Sequence, residues 1–372
     1  MSDVSVWRVV LKAGALFLIL NIVYAVARPL DTIWDMGLYN TPLVPGRERL
    51  PYAENPAESY SLTVTDPEAM FATHELAAAD DESAYRVFLL GDSGIWGWLL
   101  GPDETLSACI NRGYYHTASG QPIRVYNLGY PLLNLTKDLV ILDTALRYEP
   151  DMVVWFVTLA SFFADDQLTR PFIQANAQTV RRLNAQFDIG LNTDQLSDNT
   201  DVPFERTIIG QRRQLADWLR LQAYGLAWAA TGIDHRNPEF FTPVRHNLRA
   251  ATDYEGFERD IRAEGAVLWS LLDAGTAMAR GQDAEMLIIN EPIYRSSGLN
   301  SDLRYNFYYP REGYDWYRTA LATRAQDAAW QYADLWDAMP PDAFTDSALH
   351  LTPSATCALA EQVAAVIQQH AP

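Results

Sequence analysis

The pattern of apolar and polar positions begins with one long apolar segment. Residues 13–27 read AGALFLILNIVYAVA, with only a glycine and an asparagine among the apolar side chains. Extending this segment back to Val9 gives about nineteen residues, and a helix needs roughly 20 to cross the hydrocarbon core of a bilayer. The segment therefore predicts an N-terminal transmembrane helix within residues 1–30.

Two other interpretations of this segment stay open from the sequence. Ala25-Val26-Ala27 fits the small-residue pattern of a cleavage site, so the segment could be a signal peptide that is removed. It could also be a buried core helix. Arg8 and Lys12 lie at its start, which favours a cytoplasmic N-terminus. With an anchor or a signal peptide, the remaining chain lies outside the cytoplasm, at the cell membrane in the case of a single-pass anchor.

From residue 85 onward, short apolar runs alternate with segments of helical periodicity. The runs predict strands over 85–90, 123–126, 152–157, 286–289 and 332–336. The periodic segments predict helices over 105–117, 135–148, 257–280, 314–328 and 353–369. Strands that alternate with helices in this way are typical of a parallel sheet covered on both faces. The predicted fold class is therefore α/β, a doubly wound, flavodoxin-like and mainly parallel sheet flanked by helices.

Two regions lie outside this alternation. Residues 31–84 are rich in proline, asparagine and acidic side chains and predict a membrane-proximal stalk packed on the body, which spans 85–372. The alternation also breaks over about 162–253, which predicts a mainly helical insertion. Within it, residues 212–233 place Leu215, Trp218, Leu219 and Leu226 at helical spacing. This helix either packs on the core or docks on a membrane surface or a partner.

Composition excludes several classes of protein. Lys and Arg total 28 against 47 Asp and Glu, so the net charge is −19, which argues against nucleic acid as a partner. An apolar fraction of 49% excludes a wholly disordered chain. Cys109 and Cys357 fall on predicted helices and are either buried thiols or a disulfide. No His, Cys and acidic residues show metal-ligand spacing, so we expect no metal and no cofactor.

The residues that point to chemistry lie at the carboxyl ends of predicted strands. Gly91-Asp92-Ser93 follows the first strand, where a serine at the start of a helix has an exposed hydroxyl. Asp346 and His350 lie between the last strand and the last helix, at the same edge of the sheet. A nucleophile, a base and an orienting carboxylate could therefore meet there.

These residues resemble the blocks of the SGNH/GDSL hydrolase superfamily over roughly residues 85–366, the insertion excepted. The resemblance implies that Ser93 is the nucleophile, His350 the base and Asp346 its orienting carboxylate. It also implies that the N–H groups of Ser93 and Gly129, the latter in Asn127-Leu128-Gly129-Tyr130-Pro131, form the oxyanion hole.

The chain departs from the family pattern in two places. The family usually carries an oxyanion-hole asparagine after the third strand, where this chain reads Val157-Thr158-Leu159-Ala160-Ser161. Thr158 or Ser161 could donate instead, or Asn134 or Asn290 from neighbouring strand ends. The aspartate usually precedes the histidine by three residues, whereas Asp346 precedes His350 by four, so a Ser93–His350 dyad is the alternative to a triad.

The expected function is that of a membrane-tethered, extracytoplasmic serine esterase or O-acyltransferase. Its substrate would be an acyl ester, of a cell-surface glycan or of a lipid such as a lysophospholipid, with Asn290, Glu291 and Tyr305 as candidate substrate contacts. The resemblance also implies a multi-spanning membrane O-acyltransferase as a partner. The missing asparagine supports a different expectation: a catalytically weak or inactive fold that binds glycan or serves as a scaffold subunit.

Overall fold

The computed structural model describes residues 5–34, 36–41, 43–53, 60–197, 203–235, 237–238 and 240–372. Parts of the predicted stalk (35, 42 and 54–59) and of the predicted insertion (198–202, 236 and 239) lie outside the described residues.

The described chain is built around a five-stranded parallel sheet. Its strands are β1 (Tyr85–Leu90), β2 (Ile123–Asn127), β3 (Met152–Val157), β4 (Glu285–Asn290) and β5 (Gln331–Asp334). Their order across the sheet is β2-β1-β3-β4-β5, with every neighbouring pair parallel. This is the flavodoxin-like order, in which the chain reverses its winding direction between β1 and β3. The predicted doubly wound α/β fold is confirmed.

Helices precede the sheet and fill the crossovers. Their bounds are α1 Val6–Ala27, α2 Leu30–Trp34, α3 Pro67–Ala72, α4 Ser93–Trp96, α5 Leu106–Arg112, α6 Leu135–Ala145, α7 Pro171–Ala175, α8 Ala177–Phe187, α9 Arg212–Thr231, α10 Ser270–Arg280, α11 Arg311–Asp327 and α12 Pro353–His370. Short 3-10 turns lie at Glu75–Ala78, Pro102–Glu104, Leu146–Tyr148, Leu159–Phe162, Ala164–Asp166, Thr193–Gln195, Pro203–Arg206, Ile233–His235 and Pro341–Ala343.

One predicted helix is wrong over half of its length. The segment predicted as helix over 257–280 is helical only in α10, from Ser270 onward. Gly256 and Gly265 flank most of the non-helical part with φ angles of +98° and +76°, which are outside the helical region. Val267 pairs instead with Phe163 in an isolated bridge. This loop therefore lies beside the chain that follows β3.

Side chains alternate between the two faces of the sheet, as the period of a strand requires. On one face, Val87 and Leu89 of β1 pack with α5 and α12. On the other face, Phe88 and Leu90 of β1 pack with α6, α10 and α11. A disulfide joins Cys109 of α5 to Cys357 of α12, which decides between the two alternatives that the sequence left open for the cysteines.

The N-terminal helix stands apart from this core. α1 has 22 residues, is long and apolar enough to cross a membrane, and buries almost none of its surface against the body. This exposure excludes the interpretation as a buried core helix. The chain after it behaves differently: Leu30, Leu50, Val64 and Phe71 are all buried in the same core as α6 and α10.

Candidate active site

The nucleophile turn forms directly after β1. Asp92 is the N-cap of α4, and its carboxylate accepts the Gly94 N–H at 2.7 Å. Ser93 is the first residue of this short helix, so its own N–H is one of those that a helix leaves without an internal partner. Both the hydroxyl and the N–H of Ser93 are therefore placed at the carboxyl edge of the sheet.

The structure brings the three predicted catalytic side chains together. Ser93 Oγ lies 2.8 Å from Nε2 of His350, although 257 residues separate them in the chain. On the other side of the ring, Nδ1 of His350 lies 2.8 Å from Oδ1 of Asp346. The two contacts together have the geometry of a nucleophile, a base and an orienting carboxylate.

The four-residue spacing between Asp346 and His350 is accommodated by a closed loop. The Thr345 N–H donates to the His350 carbonyl at 2.9 Å, and the Thr345 hydroxyl donates to Asp346 Oδ1 at 3.1 Å. Burial by itself would raise the pKa of Asp346, but the hydrogen bond and charge of His350 outweigh it and lower that pKa below its usual value. The carboxylate is therefore held in its charged form, as an orienting group requires.

Ser93 and His350 line a cavity of about 510 Å³. Trp98 lies at its edge and stacks on the His350 ring, with centroids 5.7 Å apart and planes 27° apart. The remaining wall combines aromatic rings, charged groups and small apolar side chains, among them Tyr52, Ala160, Tyr254, Glu255, Phe257, Arg259 and Tyr308. Such a mixed lining suits a ligand with both polar and apolar faces.

Sequence reasoning missed most of this wall. Tyr52 comes from the predicted stalk, and Tyr254, Glu255 and Arg259 come from the segment around the end of the insertion. None of them lies in a motif or at the end of a strand, so the sequence carried no signal for them. Trp98 both packs on His350 and lines the cavity.

Gly129 has a different environment from the one expected. Its N–H donates to Asn127 Oδ1 at 3.0 Å, and it is therefore already paired. A Cβ at this position would lie 2.4 Å from the Trp96 backbone nitrogen. Glycine therefore allows the backbone at residue 129 to lie close to the backbone of α4. The geometry thus supports a packing role for Gly129 beneath α4, and its expected place in the oxyanion hole is not supported.

The polar residues expected to replace the missing asparagine are engaged elsewhere. The hydroxyl of Thr158 lies 2.9 Å from that of Tyr309, and Asn134 caps α6 by accepting the Lys137 N–H. Asn290 donates to Asp334 at 2.8 Å, and Ser161 is buried. None of the four lines the described cavity around Ser93. In the segment after β3, Ala160 lines this cavity, and its methyl group offers no hydrogen-bond donor.

Two candidate substrate contacts also lie away from the cavity. The Tyr305 hydroxyl donates to Asp315 at 2.8 Å, and its ring packs edge-on against Trp336. Glu291 is buried behind the nucleophile turn. The structure therefore supports neither Tyr305 nor Glu291 as a substrate contact, and it assigns Asn290 to the packing between β4, β5 and α11.

A buried cluster of charged side chains lies beneath Ser93. Lys137 donates from Nζ to the Gly91 and Tyr130 carbonyls at 2.7 and 3.1 Å, and it pairs with Asp138 at 2.5 Å. Burial raises the pKa of Asp138 to about 6, against the opposing charge of Lys137. Burial, and then the charge and hydrogen bond of Asp92, raise the pKa of Glu291 well above its usual value. Burial and the neighbouring Asp92 therefore both favour the protonated form of Glu291.

The described residues contain no candidate metal site. Over the described ranges, no three His, Cys, Asp or Glu side chains are grouped so that they could hold a metal ion.

Comparison with solved structures returns esterases and related proteins. A protein from Desulfitobacterium hafniense, described as a lipolytic protein of the G-D-S-L family, matches 76% of this chain and 99% of its own, with a TM-score of 0.36 and 11% identity. A carbohydrate acetylesterase family member from Sinorhizobium meliloti matches 77% and 98%, with a TM-score of 0.34 and 12% identity. The aryl esterase of M. smegmatis matches 76% and 100%, with a TM-score of 0.33 and 12% identity.

In sequence the chain stands further apart. No family model matches it, and no curated protein is similar enough to count as a match. The chemistry of the site therefore rests on its own geometry.

Proposed function

We propose that this protein performs serine-dependent acyl-ester chemistry through an acyl-Ser93 intermediate. The observation that carries the proposal is the relay from Ser93 Oγ to His350 to Asp346, with both hydrogen bonds at 2.8 Å and Ser93 and His350 facing a cavity of about 510 Å³. A hydroxyl in this setting becomes a nucleophile because the adjacent imidazole takes its proton as it attacks.

The steps follow from the positions of the three side chains. His350 Nε2 takes the proton of Ser93 as Oγ forms a bond to the ester carbonyl carbon. The Ser93 N–H stabilises the oxyanion. His350 then gives the proton to the leaving alcohol as the ester C–O bond breaks, which leaves the acyl group on Ser93. Water or an acceptor hydroxyl, deprotonated by His350, attacks the acyl-serine and releases the product.

This chemistry is tested with a fluorophosphonate probe on the full-length protein in detergent. We expect covalent labelling of the native protein and a loss of at least about 10³-fold in labelling rate for Ser93→Ala. Ser354→Ala, an exposed serine at the start of α12, is the matched control and should label as the native protein does. Labelling that is absent, or that survives Ser93→Ala, contradicts the proposal and favours the glycan-binding or scaffold role.

The nature of the cavity supports a glycan ester as substrate. Aromatic rings of Tyr52, Tyr254 and Tyr308 stand beside the charged groups of Glu255 and Arg259, and sugars offer both apolar ring faces and hydroxyls to such a wall. Acetate release from acetylated oligosaccharides should therefore exceed fatty-acid release from lysophosphatidylcholine. The opposite ranking would assign the protein to lipid esters. Transfer is distinguished from hydrolysis by acylated product formed when an unmodified oligosaccharide is added.

We further propose that α1 anchors the protein in the cell membrane with its body outside the cytoplasm. α1 has the length and composition of a membrane span, and Arg8 and Lys12 lie in its first half. The disulfide between Cys109 and Cys357 is of a kind that persists in oxidising compartments. N-terminal sequencing of the mature protein tests the anchor, because a start at Arg28 would mean that α1 is cleaved.

A further inference from the structure

Helix α9 packs on the body through one face only. Leu221, Gly225 and Trp228 are buried on this face. Gly225 lies so close to the ring of Tyr39 that a Cβ would be 2.3 Å from it, and the Tyr39 and Trp228 rings meet edge-on at 6.3 Å. The side chain of Gln222 accepts the Leu38 N–H at 2.7 Å. The position of α9 on the body is thus fixed by close packing.

The opposite face of α9 is apolar and has no partner in the described structure. Its residues are Leu219, Ala223, Leu226 and Ala230, spaced at i, i+4, i+7 and i+11, which places them on one side of a helix. All four are exposed, Leu219 to 61% and Leu226 to 38%. A helix with apolar side chains on two opposite faces is typically covered on both faces.

The position of α1 indicates what covers this face. Asn21 is the buried residue of α1, only 5% exposed, and its side-chain oxygen accepts the Ile209 N–H at 3.4 Å, three residues before α9 begins. Asn21 lies six residues before the end of α1, or about 9 Å along the axis at 1.5 Å per residue. The 22 residues of α1 are about 33 Å long, close to the roughly 30 Å of a bilayer core. The segment at Ile209 therefore lies within about 9 Å of the outer end of α1, the depth to which an interfacial helix buries its apolar face.

Neighbouring side chains fit the same environment. Phe204 and Ile209, just before α9, and Leu38, beside Gln222, are all exposed apolar residues, Leu38 to 68%. α9 itself carries three arginines, Arg212, Arg213 and Arg220, against one aspartate, Asp217, so its charge is +2 in a chain of −19. Arginine side chains at a membrane boundary extend toward lipid phosphates.

We propose that the exposed face of α9, formed by Leu219, Ala223, Leu226 and Ala230, lies in the outer lipid–water interface of the bilayer that α1 crosses. The proposal rests on the proposed membrane anchor and adds a second contact to it. An interfacial helix of this kind lies in the plane of the membrane with its apolar face toward the acyl chains. The body is then docked on the membrane, and the mouth of the Ser93 cavity is held at a set height above it.

The test uses the full-length protein in phosphatidylcholine vesicles and an environment-sensitive fluorophore on single introduced cysteines. The described chain holds no free cysteine, so Leu219→Cys and Leu226→Cys can be labelled without reduction. Leu16→Cys, at the middle of α1, reports the anchor. Tyr114→Cys is the exposed control, since Tyr114 is 81% exposed and follows α5 on the opposite face of the sheet. Nitroxides on the lipids, near the headgroup or near the chain end, report depth.

We expect the labels at 219 and 226 to be quenched by the shallow nitroxide at least about twofold more than the label at 114. Quenching at 219 and 226 no greater than at 114 overturns the proposal. A blue-shifted label without lipid quenching also overturns it, because a second copy or another protein then covers α9. If the label at 16 is not quenched by the deep nitroxide, the anchor itself fails. Quenching at 16 without quenching at 219 and 226 removes only the docking.

Discussion

At the scale of single residues, the candidate site combines three hydrogen-bonded side chains with few side-chain donors around the Ser93 hydroxyl. Ser93, His350 and Asp346 are joined by two short hydrogen bonds, which the resemblance implied and which no local spacing could ensure. The side-chain donor expected after β3 is missing, and the segment that faces the cavity there presents Ala160. In the proposed mechanism, Ser93 is therefore equipped for attack, while the stabilisation of the oxyanion depends on fewer donors.

Ala160→Asn should increase catalysis, because it places an amide donor on the cavity wall near Ser93. Removing one such donor from an oxyanion hole costs about 10²–10³ in rate, so an added one should raise kcat by about tenfold or more. The measurement is kcat on a small aryl ester, with Ala164→Asn, four residues along the chain, as the matched control. An unchanged kcat in Ala160→Asn would show that the added amide does not reach the oxyanion.

The buried proton of Glu291 predicts a pH dependence of stability. Its pKa is raised well above its usual value in the folded protein, so its contribution is present below about pH 4.5 and is lost as the pH rises through the folded pKa. At pH values between the unfolded and the folded pKa of Glu291, only the folded state binds this proton. The free energy of unfolding then falls by about 1.4 kcal/mol for each pH unit. Glu291→Gln, which needs no proton, should therefore gain stability relative to the native protein as the pH rises from about 4.5 toward the folded pKa.

Chemical denaturation of both proteins across this pH range measures the effect. Glu264→Gln removes an exposed carboxyl and is the control, with a curve parallel to that of the native protein. Parallel curves for Glu291→Gln as well would mean that Glu291 is charged in the folded protein.

At the scale of elements, the two ends of the catalytic domain are tied together. The disulfide links α5, which follows the nucleophile turn, to α12, which follows the loop that carries His350, and it closes 248 residues of chain. The two helices pack on the same face of the sheet as Val87 and Leu89. The helices that follow Ser93 and His350 in the chain are thus connected covalently as well as through the core.

Replacing both cysteines, as Cys109→Ala with Cys357→Ala, should lower the free energy of unfolding by about 2–5 kcal/mol, because the unfolded chain gains the freedom that the bond removes. Thermal and denaturant unfolding of the full-length protein measure this loss. Thiol titration of the unfolded, unreduced native protein provides the control and should find no free thiol. Two titratable thiols, or an unchanged stability, would contradict the bond.

At the scale of the whole molecule, the segment before the sheet connects the insertion to the active site. Arg49 donates to the Gly97 and Leu100 carbonyls at 3.0 and 3.3 Å and lies over the Trp96 ring at 4.5 Å. Two residues earlier, Arg47 forms a buried ion pair with Asp234, which lies in the 3-10 turn that follows α9. Residues 47–49 therefore join distant parts of the chain beneath the nucleophile helix.

Asp234→Ala should lower the free energy of unfolding by about 3–5 kcal/mol, because it leaves the Arg47 charge buried without a partner. The double variant Arg47→Met with Asp234→Ala should recover part of this loss, since no unpaired charge remains. Asp217→Ala breaks the exposed pair with Arg220 and should cost at most about 1 kcal/mol. Equal losses for Asp234→Ala and Asp217→Ala would show that the buried pair has no special role.

The sequence by itself determined the features that depend on neighbours along the chain. The strands and their order of succession follow from short apolar runs, and the parallel sheet follows from their alternation with helices. The helix α1 follows from the mainly apolar composition of its residues. Ser93 could be named because it follows a predicted strand, and His350 because it lies at the same edge of the sheet in a matching motif.

Only the tertiary structure decided what depends on distant segments meeting in space. The wall formed by Tyr52, Tyr254 and Tyr308 comes from three separate parts of the chain, and neither Tyr52 nor Tyr254 has a local signature. The Gly129 N–H is occupied because it donates to Asn127 Oδ1 in the folded chain. Local periodicity and propensity act over a few residues, whereas cavities, buried charges and exposed faces are set by which surfaces the folded chain brings together.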